Sequence, residues 1–190
     1  DRFVRAGKWG KEPFPFVNRI TAKRLGILGL GSIGLAIAKR AEGFRMSVAY
    51  HSRRKRSDVP YRYVDSVREL AATSDHLAIA APGGADTRHL VTADVLAALP
   101  SHGIVVNIGR GSIIDQEALT AALASGRLWG AGLDVLDGEP AVPRRLLTLD
   151  NVVITPHRAG STHETSEEAI ELTIRTLQAW FNDGTNIAPI

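Results

Sequence analysis

Four residues in the second half of the chain have types suited to proton transfer and anion binding. Arg110 sits in "NIGRGS", between Gly109 and Gly111 and just past a short apolar run. Asp134 stands in "GAGLDV", Glu139 follows in "LDGEP", and His157 comes directly after "VVITP". An arginine can bind a carboxylate and polarise a neighbouring carbonyl. A histidine passes a proton near neutral pH, and a glutamate beside it favours the imidazolium and fixes its tautomer. Singly, each has a plain alternative as a surface arginine, an exposed carboxylate or a capping histidine. Their shared position past the ends of inferred strands makes accident a poor account of all of them.

The first half carries a different chemistry. Gly29, Gly31 and Gly34 form G-x-G-x-x-G between an inferred strand, "RLGILGLG", and an inferred helix, "SIGLAIAKRAEGF". In that context the first glycine allows the tight turn, the second lets backbone approach a pyrophosphate, and the third lets helix and strand pack closely. The amides of Ser32 and Ile33 open the helix and are placed to face phosphates.

About twenty residues on, an Asp or Glu is expected wherever the ligand is NAD, because it hydrogen-bonds the ribose hydroxyls. Here the stretch reads "VAYHSRRKR": His51 stands in that place, followed by Ser52, Arg53, Arg54 and Lys55. A guanidinium grips a 2′-phosphate through charge-assisted hydrogen bonds, whereas a carboxylate repels it. The pattern therefore points to NADP(H), with Arg53 the foremost contact and NAD(H) the lesser alternative. The bland counterpart is a solvated basic loop.

These residues need a scaffold that brings strand ends together. Short apolar runs at "RLGILGLG", "MSVAY", "HLAIA", "GIVVNIG", "WGAGLDV" and "NVVITP" read as six strands. Helical patterns at "SVRELAATS", "TADVLAAL" and "QEALTAALASG" alternate with them. A last helix runs from about Glu164 to Phe181, with Ile170, Ile174, Leu177 and Phe181 on one face and "NDG" ending it. Alternation of this kind predicts an α/β fold, a doubly wound parallel sheet covered on both faces, with the ligand crevice at the carboxyl ends of the strands. The whole of 1–190 reads as one dinucleotide-binding domain: a leading arm over 1–21 containing Trp9, Pro13 and Pro15, a core over 22–160, and a C-terminal helix over 161–190. Trp9, Trp129 and Trp180 are expected to be packing residues.

Composition excludes several classes. The 190 residues contain no cysteine, which removes disulfides, thiolate metal sites and cysteine nucleophiles. A zinc site is not expected, because no close histidine pair has ligand spacing with a carboxylate partner. His76, His89 and His102 fall at inferred element edges, and His163 near the start of the last helix; none is given a role. No apolar run approaches the roughly 20 residues of a membrane helix. A net charge of +3 and four basic residues in a row give no argument for nucleic-acid binding. A cytoplasmic location is the default expectation.

The segments "GILGLGSIG", "NIGRGSIIDQEAL", "GAGLDVLDGEP" and "TPHRAGST" together resemble the D-isomer-specific 2-hydroxyacid dehydrogenases. "APGGADTRHL" and the basic loop look most like the glyoxylate/hydroxypyruvate reductase branch, which commonly uses NADPH. The resemblance implies that Arg110 binds the carboxylate and carbonyl of a small 2-oxoacid. It makes His157 the proton donor and acceptor, Glu139 its partner, and Asp134 the holder of the nicotinamide carboxamide. Gly29, Gly31, Ser32 and Ile33 would cradle the pyrophosphate. Ala81, Pro82 and Thr87 would line the adenine and ribose side, with Ile108 and Gly109 bordering the nicotinamide ribose and Gly160 in the same cofactor set. Family members also have a second, substrate domain, built mostly from a segment before the leading arm. The chain is thus expected to be the cofactor-binding part of a longer reductase, with "NIAPI" leading back toward that domain. A homodimer formed through the cofactor domain is implied as well. The resemblance leaves two alternatives: a non-enzymatic, dinucleotide-sensing corepressor, and an NAD-linked relative. Among the latter, His51 and Ser52 speak against phosphoglycerate dehydrogenase, and Glu139 against formate dehydrogenase.

Overall fold

A computed structural model describes residues 2–14 and 16–188. Pro15 of the leading arm and the last two residues of "NIAPI" lie outside the described residues. The strands are β1 (Arg24–Leu28), β2 (Ser47–His51), β3 (Arg62–Tyr63), β4 (His76–Ile79), β5 (Ile104–Asn107), β6 (Gly130–Leu133) and β7 (Val152–Ile154). The helices are α1 (Arg2–Arg5), α2 (Ser32–Glu42), α3 (Val67–Ala72), α4 (Ala93–Ala98), α5 (Gln116–Ala124), α6 (Arg144–Leu147) and α7 (His163–Asp183).

Every neighbouring pair of strands is parallel, and the sheet order is β3-β2-β1-β4-β5-β6-β7. Seven strands stand where the apolar runs predict six. The extra one, β3, is a two-residue edge strand, too short to carry a periodic signal. The order reverses at β1, where β2 and β3 extend the sheet to one side and β4 to β7 to the other. That reversal is the switch point at which doubly wound sheets bind ligands.

Local chemistry fixes the helix starts. Ser66, Thr92, Asp115 and Thr162 cap α3, α4, α5 and α7 by accepting backbone N–H groups. Glu69 follows Ser66 by three residues, the spacing of a capping box. Gly184 ends α7 in the left-handed region, at φ 78°. The helix α2 differs, since it starts at Gly31 with no side-chain cap.

Two apolar clusters flank the sheet. The larger holds Leu70, Leu77, Ile79, Leu96, Leu99, Leu119 and Leu128, and so packs α3, α4 and α5 against one face. The smaller joins Ala38 and Ala41 of α2 to Leu25, Ile27 and Tyr50. Coverage of the second face is incomplete, contrary to expectation: Val106 on β5 and Val153 on β7 remain exposed. The apolar side of α7 is uncovered too, with Ile174 half exposed at 50% and Phe181 at 81%. Nor do the tryptophans pack as expected. Trp9, Trp129 and Trp180 are 77%, 42% and 58% exposed, and none of them belongs to either cluster.

At the amino end of the sheet, Asp75 ties three strands together. Arg24 donates to it through its backbone N–H and its guanidinium, and His102 Nε2 lies 3.0 Å away. The guanidinium holds the Asp75 carboxyl well below the usual carboxylate range. The neighbouring His76 is buried with Nε2 unpartnered, and burial pushes its imidazole down.

Candidate functional site

The glycine turn is built by close backbone approach. A Cβ added to Gly34 would lie 2.0 Å from the Gly29 carbonyl oxygen, so helix and turn meet without side-chain space. Gly29 itself has φ 93°, and its amide donates to the His51 carbonyl at 2.8 Å, joining the ends of β1 and β2. Above Gly31 there is open space. The uncapped first turn of α2 directs its amides there, the arrangement that receives phosphate.

Two adjoining clefts meet at this turn. One, of about 590 Å³, is lined by Gly31, Ser32, Ile33, Ala81, Pro82, Ile108, Gly109 and Arg110, with Gly83, Gly84 and Ser112. The other, of about 670 Å³, is lined by Gly29, Gly31, His51, Ser52, Arg53, Arg54, Ala81, Pro82 and Thr87, with Leu30, Arg56 and Leu90. Gly31, Ala81 and Pro82 are common to both, so the two form one groove across the switch point. A groove with an uncapped helix start at its centre and an arginine near each end fits a dinucleotide.

The basic loop is shaped from within. The Ser52 hydroxyl donates to the Arg54 carbonyl at 2.7 Å. His51 Nδ1 lies 2.9 Å from the Val64 carbonyl, which can only accept, so that nitrogen carries the hydrogen. The buried Tyr50 hydroxyl accepts the Arg56 N–H at 2.8 Å and sits 3.3 Å from the Arg56 carbonyl. Arg56 is a bracing residue that the basic run does not single out. Its guanidinium grips Asp58 and donates to the Leu30 carbonyl in the glycine turn. Asp58, two residues after the basic run, was the available signal.

Across the groove, Thr87 Oγ1 donates to the Pro82 carbonyl at 2.9 Å and holds that loop closed. Arg110 donates to the carbonyl of its neighbour Gly109 at 2.7 Å, and its aliphatic stem lies against Gly83. Asn107 pins the turn that presents it, donating to the Arg110 carbonyl and accepting the Gly109 N–H.

Glu139 and His157 meet beside this cleft. Glu139 Oε1 lies 2.5 Å from His157 Nδ1, while its Oε2 accepts the Leu136 N–H at 3.0 Å. The Leu136 amide first, then His157 and the nearby charge of Arg110, hold the Glu139 carboxyl below its ordinary value. At neutral pH that carboxylate is an acceptor only. His157 Nδ1 therefore carries a hydrogen, and Nε2 is the nitrogen left to exchange one. His157 also has φ 53°, an unfavourable conformation for a non-glycine residue that the surrounding bonds must impose.

Asp134 supplies those bonds. Its carboxylate accepts the Thr155 hydroxyl at 2.5 Å and the amides of Arg158 and Ala159 at 2.9 Å each. Burial pushes this carboxyl up, but these donors and the charge of His157 outweigh it, and the net displacement is downward. Three of its four lone pairs are occupied, which leaves one for a ligand. Asp134, Glu139, His157 and Gly160 do not line the two clefts, and Gly34 is buried under the turn. Among the described residues no three His, Cys, Asp or Glu side chains are grouped to hold a metal, and no helix is long and apolar enough to cross a membrane.

A parallel sheet in this order, with a glycine turn at its switch point, defines a dinucleotide-binding domain. The profile of the D-isomer specific 2-hydroxyacid dehydrogenase family, NAD binding domain, matches residues 1–159. The chain belongs to that family. It is 44% identical over 190 residues to glyoxylate/hydroxypyruvate reductase A of Arabidopsis thaliana, covering 100% of this chain and 61% of the relative. It is 43% identical over 190 residues to hydroxyphenylpyruvate reductase of Plectranthus scutellarioides, with the same two coverages of 100% and 61%. A crystal structure of NADPH-dependent glyoxylate/hydroxypyruvate reductase from Sinorhizobium meliloti, in complex with NADP and malonate, matches with a TM-score of 0.91 at 40% identity. That match covers 100% of this chain and 60% of the other, so the chain spans about three fifths of the length of these relatives.

Proposed function

We propose that this chain is the NADP(H)-binding portion of a reductase that converts a small 2-oxoacid, such as glyoxylate or hydroxypyruvate, to the D-2-hydroxyacid. The observation that carries the reading is the 2.5 Å contact of Glu139 with His157 beside the Arg110 cleft. Relatives named as reductases of such acids support it.

The first turn of α2 would hold the pyrophosphate, and Arg53 with Arg54 the 2′-phosphate. Bound nicotinamide supplies the hydride. The protein's own groups do the rest. Arg110 binds the substrate carboxylate and stabilises negative charge on the carbonyl oxygen. His157 holds a proton at Nε2 and gives it to that oxygen. Glu139 steadies the imidazolium through Nδ1, and the free lone pair of Asp134 orients the carboxamide. The remaining two fifths of a full-length relative would supply the facing wall of the cleft. A homodimer through this domain is part of the reading, supported by the exposed apolar arm, where Phe14 is 63% and Phe16 105% exposed.

Calorimetric titration with NADPH and NADH tests the cofactor assignment. At least about tenfold tighter binding of NADPH is expected, as for charge-assisted contacts, and Arg53→Ala should erase most of it. Equal binding by the unsubstituted chain would make the basic loop a solvated surface and return the NAD-linked reading. In the full-length protein, His157→Ala should abolish NADPH oxidation by hydroxypyruvate with cofactor binding retained.

A further inference from the structure

The loop that carries Glu139 is braced by a residue outside the proton pair. Gln116 opens α5. Its carboxamide oxygen accepts the Asp137 N–H at 3.0 Å, and its carboxamide nitrogen donates to the Asp137 carbonyl at 3.4 Å. One side chain therefore pairs with both backbone groups of one residue, as an adjacent strand would. From another side the loop lies directly on Gly111. A Cβ added there would sit 1.9 Å from the Leu136 carbonyl carbon and 2.2 Å from the Asp137 nitrogen.

These contacts bear on the acid–base pair through a short path. Leu136, which rests on Gly111, donates the N–H that holds Glu139 Oε2, and Glu139 Oε1 then meets His157. Asp137, which Gln116 holds, is the next residue. The side-chain contact of Asp137 with Arg88, at 3.4 Å between exposed groups, is a weaker brace. Only a side chain with an acceptor and a donor at one tip, long enough to cross from α5, can make the Gln116 pairing. Glutamate retains the shorter of the two bonds, and alanine retains neither.

We propose that Gln116 is a positioning residue: it fixes residues 136–139 so that the Glu139 carboxylate meets His157 Nδ1. Its bearing on catalysis rests on the reading of Glu139 and His157 as the proton-transfer pair, whereas the positioning itself does not.

The test uses this chain, with carboxyl-carbon NMR titration of Glu139 and hydrogen exchange at the Leu136 amide. In Gln116→Ala the Glu139 midpoint should rise toward its ordinary value, and Leu136 exchange should quicken about tenfold, the effect of one lost hydrogen bond. Gln116→Glu should restore slow Leu136 exchange, because its carboxylate still accepts the Asp137 N–H. Gln116→Met, which keeps the side-chain length and loses both bonds, should move both signals as alanine does and covers the case in which Gln116→Ala does not fold. Unchanged signals in a folded Gln116→Ala or Gln116→Met overturn the proposal. In the full-length protein, Gln116→Ala should lower kcat about tenfold, with NADPH affinity within about twofold of the parent. If the NMR signals move as expected but the unsubstituted full-length protein reduces no 2-oxoacid, the positioning stands and the assigned reaction falls.

Discussion

Arg56 reaches the carbonyl oxygen of Leu30 at 2.9 Å and so fastens the basic loop to the glycine turn. The same guanidinium grips Asp58, which raises the arginine further and holds the aspartate below its ordinary value. Arg56 is thereby committed within the protein, and Arg53 and Arg54 are the guanidinium groups left to meet a ligand at that end of the groove. Asp58→Ala is expected to loosen the loop and weaken NADPH binding about two- to fivefold, the scale of an exposed ion pair, while leaving NADH binding unchanged. Calorimetry with both cofactors checks this. An equal loss for the two would place the role of Arg56 in the glycine turn alone.

Gly34→Ala should be far more damaging than its size suggests. The added carbon meets the Gly29 carbonyl oxygen at 2.0 Å, and neither backbone segment can yield without opening the turn. Destabilisation of about 1–3 kcal/mol is expected from overpacking, together with loss of dinucleotide binding. Thermal denaturation and cofactor titration of the same variant read the two effects.

Asp134→Asn replaces an acceptor-only group by a carboxamide with one oxygen. Three donors now face Asp134, from Thr155, Arg158 and Ala159. An asparagine oxygen cannot take all three, so at least one is left against an NH₂. The cofactor-free chain should lose about 1–3 kcal/mol in denaturant unfolding, the effect of an unsatisfied buried donor. A result within error of the parent would show that Asp134 does not anchor the His157 turn.

Asp75 sets an acid limit on stability. Its folded pKa is depressed by Arg24, so the stability it contributes is present above the unfolded value near pH 4 and is lost as pH falls through the folded value below that. Asp75→Asn should cost about 2 kcal/mol at pH 7, between the scales of exposed and buried ion pairs. The difference between variant and parent should shrink as pH falls below about 4. Denaturant midpoints measured from pH 7 down to pH 3 follow that convergence.

Much of this fold is legible because parallel strands buried on both faces leave short apolar runs, and because a phosphate-binding turn demands glycines at fixed spacing. Arg110, Asp134, Glu139 and His157 could be placed together for the same reason: each follows a strand whose end points to the same crevice. What escaped the sequence was work done by backbone. The anchoring role of Asp134 depends on the amides of Arg158 and Ala159, and the role of Gln116 on the peptide of Asp137. Main-chain partners leave no trace in residue type. Periodicity misled in a different way. It identified the apolar side of α7 but not whether anything within the chain covers it, and it gave Trp9, Trp129 and Trp180 a packing role that the structure does not bear out.

The placement of β1 also bears on how the chain assembles. β1 pairs with Ser47–His51 on one flank and with His76–Ile79 on the other, so both of its edges close over long stretches of intervening chain. Such non-local pairings form slowly, and the crevice above Gly29 is absent from every species in which either flank is undocked. A dinucleotide therefore recognises only the finished sheet. It should slow unfolding more than it speeds refolding, acting as a latch on the completed structure.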